Sequence, residues 1–338
     1  MTFLDFQVSK LQQAGISLVS PGSIFGLPQL ACALVLGFAF LAWRQKQRRG
    51  SLRPRAILRA IFSRHILFNR STYADLFYYG INTFAIATLI GWGLWSGANV
   101  SDFIVHKLNA IFGALAPSHA PNWILRSGLT VVAFLGYEFG YYVDHSLKHR
   151  IPFLWAFHKT HHSAEVLTPL TVFRVHPVDT LIFVDILALT IGGAHGLFTY
   201  FAGKPINLYL IDNTNVISAF FLFLLAQLQH SQFWIPLRGL PGRLLLSPAH
   251  HQIHHSIDPR HYNRNLGSFL AVFDWMFGTL TIPEKESERL TFGVVQDADD
   301  PHRIGTLLVT PLVEAAGVVQ SLAKNARPKP PIQQAPAE

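Results

Sequence analysis

Two five-residue clusters, His158-Lys159-Thr160-His161-His162 and His251-Gln252-Ile253-His254-His255, set the tightest condition on any fold this chain can adopt. Both read H-x-x-H-H, and a further pair, His145 and His149, comes just before the first. On a helix, residues three and four apart share a face, so each cluster can aim two or three imidazoles at one point. Imidazole ligates iron, zinc, copper and nickel, and separate clusters can close around more than one ion. With 17 histidines in 338 residues, chance yields about 0.04 such patterns in a chain of this length, so two copies point to function. The fold has to bring distant parts of the chain together at this site.

Composition says in which solvent. Half the residues are hydrophobic and only 14% are charged, too apolar for an ordinary soluble domain of this size. Five segments are apolar enough to cross a bilayer, which takes about 20 residues each. They run approximately Phe25–Trp43, Leu76–Trp95, Trp123–Val143, Thr180–Ala202 and Ile206–Leu228, with Trp43, Trp92, Trp95 and Trp123 near segment ends, where interfacial aromatics belong. Gly203-Lys204-Pro205 reads as a turn, so the last two segments are expected to form a helical hairpin. The mixed stretch Asp102–Ala120 is expected along the interface. The first apolar stretch follows a segment without a basic n-region and reads as a retained membrane helix.

The net charge of +8 is concentrated in Arg44, Lys46, Arg48, Arg49, Arg53, Arg55, Arg59, Arg64 and Arg70, with no acidic residue among them. That is the signature of a cytoplasmic loop, and it also suits anionic headgroups. No nucleic-acid recognition motif accompanies it. Threading five segments from that loop delivers every clustered histidine to the cytoplasmic side. The single cysteine, Cys32, excludes a disulfide framework and any cysteine-ligated zinc or iron–sulfur site. The expectation is an all-α integral membrane protein with four to five transmembrane helices and a cytoplasmic helical cap holding a histidine-rich dimetal site. Residues 1–122 would form N-terminal membrane helices and the basic loop, and residues 123–290 the catalytic domain. Residues 310–338, rich in Ala, Lys and Pro, would form a disordered tail.

The ordered series Asp144-His145-x-x-x-His149, His158-x-x-His161-His162-Ser163, Arg174-x-His176-Pro177 and Pro248-x-x-His251-x-x-His254-His255 resembles the fatty acid hydroxylase / sterol desaturase superfamily. The closing stretch, Asn265-Leu266-Gly267 and then Asp274-Trp275-Met276-Phe277-Gly278-Thr279, is similar too, and the likeness covers roughly Gly128 to Pro283. It implies an integral-membrane oxygenase with two histidine-bound irons that hydroxylates or desaturates a lipid with O2 and external electrons. Attack on an unactivated C–H bond needs an oxidant stronger than any side chain, which a metal centre can supply. Zinc suits imidazole equally well but has no redox chemistry, so the metal's identity rests on the resemblance.

The expected ligands are His145, His149, His158, His161, His162, His230, His251, His254 and His255. His230 stands alone, and the resemblance, which places an isolated histidine between the second and last boxes, brings it into the set. His176 is open between a ligand and a support for one. His250 points about 100° away from His251 on a helix, so a neighbouring role is expected. Asp144, Glu138, Asp179 and Asp274 are candidate acceptors for the second ring N–H of a ligand; helix capping or a solvated interfacial charge is the competing reading for each. Asp185, Asp212, Asn213 and Asn215 are costly in hydrocarbon, so they either line a substrate channel or cross-link helices.

With no haem-attachment motif, iron–sulfur cysteine set or Gly-rich dinucleotide fingerprint, the chain is expected to hold neither haem nor flavin. Electrons would come from a ferredoxin or a cytochrome b5-like protein with its reductase. Hydroxylation and desaturation remain alternatives. A membrane metal transporter or storage protein fits less well, because ionisable residues do not continue through the bilayer as a path.

Overall fold

In a computed structural model, residues 26–82, 95–294, 300 and 302–325 are described, with 12, 15, 16 and 18–20. Helix α1 (Leu27–Arg49) ends in Lys46, Arg48 and Arg49 and is closed by Gly50 in the left-handed conformation. Cations there suit the negative end of the helix dipole. After it come the short basic helix α2 (Pro54–Ile61), α3 (Arg70–Ile81) and α4 (Gly97–Phe112). Helix α5 (Asn122–Arg150) is 29 residues long, about 43 Å at 1.5 Å per residue. Ile151 separates it from α6 (Pro152–His162), which Pro152 starts by supplying a preset φ where no N–H is needed. Helix α7 (Pro177–Ala202) begins the same way, with the His176 ring accepting the Val178 N–H, and stops at Gly203, φ 64°.

Helices α1, α7 and α11 (Ile304–Asn325) are long and apolar enough to cross a membrane, and this is an integral membrane protein. Large apolar side chains such as Val35, Leu189, Leu197 and Phe201 face outward, as a lipid solvent permits. Helices α4 and α7 meet through small residues: a Cβ on Gly192 would lie 2.5 Å from the Gly97 carbonyl oxygen, and one on Gly196 2.8 Å from that of Ser101. Close backbone approach is how membrane helices associate where burial of apolar surface offers no drive. The stretch expected along the interface thus packs on α7 through α4.

Two sequence expectations are corrected. The fifth segment, Ile206–Leu228, is not one helix. Its first part is a two-stranded hairpin, β1 (Leu210–Ile211) with β2 (Thr214–Asn215), turning at Asp212 and Asn213 with φ of 47° and 61°. Two successive positive φ values suit Asp and Asn, and they define a tight hairpin turn. Only Val216–Gln229 is helical (α8), with a π-helical turn at Leu222–Ala226. The hairpin is anchored on α5, where Thr130 Oγ1 accepts from the Tyr209 N–H and Asn215 Nδ2 donates to the Thr130 carbonyl. From there α8 rises about 21 Å, nearly the distance separating Thr130 from His145 on α5. The shortened helix therefore still delivers His230 opposite His145.

The second correction concerns the tail: through Asn325 it is helix α11, against α6. Lys and Pro cluster only near the chain end, whereas Leu307 and Ala315 bury against Ala74, Tyr78, Ala156 and Phe157. Residues 326–338 lie outside the described residues, as does most of the expected segment Leu76–Trp95, whose start falls in α3. Below the histidines, Phe134 of α5, Phe221 of α8 and Phe269 stack, with centroids 5.6 and 5.3 Å apart. This aromatic wedge fixes the spacing of the helices that carry the site.

Candidate metal centre

Helix geometry brings the clusters together. The C-terminal end of α5 supplies His145 and His149, α6 supplies His158, His161 and His162, and the end of α8 supplies His230. Helix α9 (Pro248–His254) and the residue after it supply His251, His254 and His255. All nine expected ligands converge in two adjoining groups. His145, His149, His158, His162 and His254 form the first; His161, His230, His251 and His255 form the second. Within each, one ring nitrogen per residue lies within 4.8 Å of the others. The groups abut, with the rings of His162 and His255 stacked at 4.6 Å.

Ring orientation is set from outside. His145 Nδ1 donates to the Leu266 carbonyl at 2.8 Å, His254 Nδ1 to the Arg264 carbonyl at 2.9 Å, and His158 Nδ1 to Asp179 Oδ2 at 2.9 Å. Carbonyl and carboxylate oxygens only accept, so each Nδ1 carries the proton and each Nε2 presents a lone pair inward. The inward nitrogens of the first group, Nε2 of His145, His149, His158, His162 and His254, are buried without a hydrogen-bond partner. In the second group, Nε2 of His230 faces Nε2 of His161 at 3.2 Å and that of His251 at 2.8 Å, and His255 Nε2 faces His251 Nε2 at 3.1 Å.

The buried lone pairs converging in the first group repel unless a cation lies between them, and the short Nε2–Nε2 approaches of the second group suit a shared ion equally well. Two nitrogens each about 2.1 Å from one ion and at right angles to each other are about 3 Å apart, so the donor set fits metal ions. Burial, reinforced by neighbouring imidazoles, holds His161, His162, His251 and His255 well below the usual imidazole pKa, while burial brings His254 to about 3 and His230 to about 4. The rings are therefore neutral near pH 7, the form that ligates.

The remaining candidates sort by contact. Asp179 alone among the four carboxylates touches an expected ligand. Asp274, on the short helix α10 (Val272–Phe277), accepts the Leu266 and Gly267 N–H groups at 2.7 and 2.8 Å and the Thr279 hydroxyl at 2.6 Å. It thereby fixes the loop whose carbonyls hold His145 and His254. Asn265, at φ 55°, completes that loop by donating to the His250 and Thr281 carbonyls and accepting the Thr281 N–H. Glu138 accepts the N–H groups of Phe269 and Leu270, and Asp144 pairs with Lys148. His176 stands outside both groups, capping α7 and facing the Leu308 carbonyl at 3.1 Å. His250 also turns away, toward Ser247 and the Gly242 carbonyl.

None of the four polar candidates, Asp185 on α7 and Asp212, Asn213 and Asn215 at the hairpin, lines the cavity at the histidines. Asp185 Oδ1 accepts the Trp95 N–H, Asp212 accepts the Ser20 hydroxyl, Asn213 forms the turn, and Asn215 caps α8. The cavity, about 510 Å³, opens instead beside the first group. It reaches His149, His162, His254 and His255 between Pro152, Trp155, Ile257 and Tyr262. Sequence reasoning missed Trp155 and Lys148, and it sought carboxylates where two of the three acceptors are backbone carbonyls, which carry no residue-type signal.

A helical membrane protein with nine imidazoles, eight buried and His149 half-buried, gathered in two metal-sized groups is a distinct class. Residues 130–279 match the fatty acid hydroxylase family, which supports the superfamily of that domain for this stretch of the chain. It is 31% identical to alkylglycerol monooxygenase of Danio rerio over 52% of this chain and 33% of that protein. It is 30% identical to ornithine lipid hydroxylase OlsE of Rhizobium tropici over 44% of this chain and 41% of that protein. Against cholesterol 25-hydroxylase of Homo sapiens the identity is 27%, over 49% and 56%. The matched stretch thus spans about a third to about half the length of these relatives. No solved structure matches the chain.

Proposed function

We propose that this chain is a membrane-bound di-iron oxygenase that hydroxylates an unactivated C–H bond of a lipid. The observation that carries the reading is the pair of adjoining imidazole groups with inward lone pairs opening onto one cavity. The first five histidines would hold one iron and the other four its neighbour. Bound there, a redox-active pair supplies the O2 activation that no side chain can. The protein's own part is placement. Arg264, Leu266 and Asp179 fix ring orientation, and neutral imidazoles receive cations without first losing protons.

Pro152, Trp155 and Ile257 give the acyl or sterol body an apolar wall beside the first group, as small-molecule sites generally require. The relatives' names, an alkylglycerol, an ornithine lipid and a cholesterol enzyme, share a lipid carrying such a bond and support that class. Incubated with 18O2, a reductant system and its lipid, the purified protein should place one 18O atom in a hydroxylated product. A simple alkene without label would replace hydroxylation by desaturation.

We place the metal centre on the cytoplasmic side, where a ferredoxin or cytochrome b5-like donor with its reductase would deliver electrons. Support comes from contacts with the basic segment. Gln232, two residues beyond His230, donates to the Ala60 carbonyl at 3.0 Å, and Glu286 pairs with Arg44 and Arg48. The histidine end and the positive loop therefore share one side, and positive loops stay inside. A reporter fused after Pro283 should read cytoplasmic; a reading on the opposite side would overturn this orientation.

A further inference from the structure

One charged side chain at this centre has no role in the reading above. Lys148 lies on α5 between His145 and His149 and is 3% exposed. A lysine is almost never buried so completely without partners that compensate it. Its ammonium pairs with Asp144 one turn back at 2.6 Å and with Asp179 Oδ1 on the first turn of α7, and it donates to the Asp179 carbonyl at 3.2 Å. The other Asp179 oxygen, Oδ2, accepts His158 Nδ1–H from α6. Three helices therefore meet in one line of contacts, Asp144–Lys148–Asp179–His158, which ends at an expected ligand.

We infer that Lys148 is a positioning residue for the first metal group: by holding one oxygen of Asp179 it presents the other to His158 and so aims His158 Nε2 inward. Nothing else among the described contacts restrains the Asp179 carboxylate from the α5 side. Without the ammonium, Asp179 can rotate about its own side chain, and His158 loses the acceptor that fixes its ring plane. Outer partners of metal-bound histidines typically change affinity by about 10- to 100-fold when removed. The inference rests on the proposed two-metal reading and adds to it a specific residue acting at one site of the two.

The test is a cobalt(II) titration of the full-length protein in detergent, followed by its visible absorption. Wild type should take up two equivalents. Lys148→Met should weaken one of them by at least about tenfold and leave the other unchanged. Asp179→Asn should do the same, and the double variant Lys148→Met with Asp179→Asn should be no worse than Asp179→Asn alone, because the two act in series.

Lys148→Met with Asp144→Asn distinguishes positioning from charge balance. Removing one buried carboxylate along with the ammonium relieves the uncompensated charge but leaves Asp179 unheld, so the weakened site should stay weak. Recovery of wild-type affinity in that variant, additive losses in the first double variant, or two unweakened equivalents in Lys148→Met would each overturn the inference. Should Lys148→Met not fold, the Asp179→Asn and Asp144→Asn singles still decide it: the first must weaken one site and the second must not. Failure of wild type itself to bind two equivalents would instead remove the two-metal reading.

Discussion

Replacing His254 by alanine should cut lipid turnover to below about one-hundredth of wild type, a larger loss than removal of an outer partner gives. His254 contributes an inward Nε2 to the first group while its Nδ1 holds the Arg264 carbonyl. Alanine therefore deletes a proposed ligand and frees the loop that also orients His145. Insertion into the membrane should be unchanged, since the helices long and apolar enough to span, α1, α7 and α11, do not include His254. The matched control is His250→Ala, one position from the proposed ligand His251. His250 serves Ser247 and the Gly242 carbonyl at the start of α9, so its loss should cost about 1 kcal/mol of helix capping and leave metal content intact. Equal loss of activity in the two variants, measured as product per protein chain, would contradict the assignment of His254.

The largest effect on stability is expected from Arg174→Met. Arg174 is wholly buried, with Nη1 on Asp75 Oδ1 at 3.2 Å and on Ser71 Oγ at 3.0 Å, and Nε on the Thr160 carbonyl at 3.2 Å. Thr160 lies between His158 and His161, so the guanidinium ties the first cluster to α3. Methionine preserves much of the volume but leaves the Asp75 carboxylate buried beside Thr168 and Thr171 without its cation. Breaking such a pair typically costs about 3–5 kcal/mol. Thermal unfolding of the detergent-solubilised protein should show the loss, and Asp75→Asn in the same chain should recover part of it. An unchanged melting temperature in Arg174→Met would show that the pair does not hold the box helix.

How much of this could be read beforehand depends on what each feature requires of the sequence. Helical spacing alone brings His158, His161 and His162 onto neighbouring turns, and the i, i+3, i+4 rule does the same for His251, His254 and His255. Their convergence with His145, His149 and His230 followed from the order of the boxes and from counting membrane passes. His230 still reaches the other histidines because α8, although short, climbs from the hairpin to their level. The hairpin itself was legible: Asp212-Asn213 between apolar residues is a turn signal, obscured by the hydropathy of the surrounding run.

Helix α11 was misread because Lys and Pro near the chain end outweighed the apolar run before them. The carbonyls of Arg264 and Leu266 could not have been found, since every residue has one and only the positive φ of Asn263 and Asn265 aims them. Lys148 was hidden for a related reason. Its partner Asp179 is far along the chain, and only the meeting of α5 with α7 shows that the two share a site.

The central claim is that nine imidazoles hold two metal ions side by side. The most direct measurement is the metal content of the protein purified from iron-supplied cells, by mass spectrometry, with X-ray absorption at the iron edge. Two irons per chain, each in a nitrogen-rich first shell at about 2.1 Å, are expected. One iron or none per chain, or a shell dominated by oxygen or sulfur ligands, would contradict it.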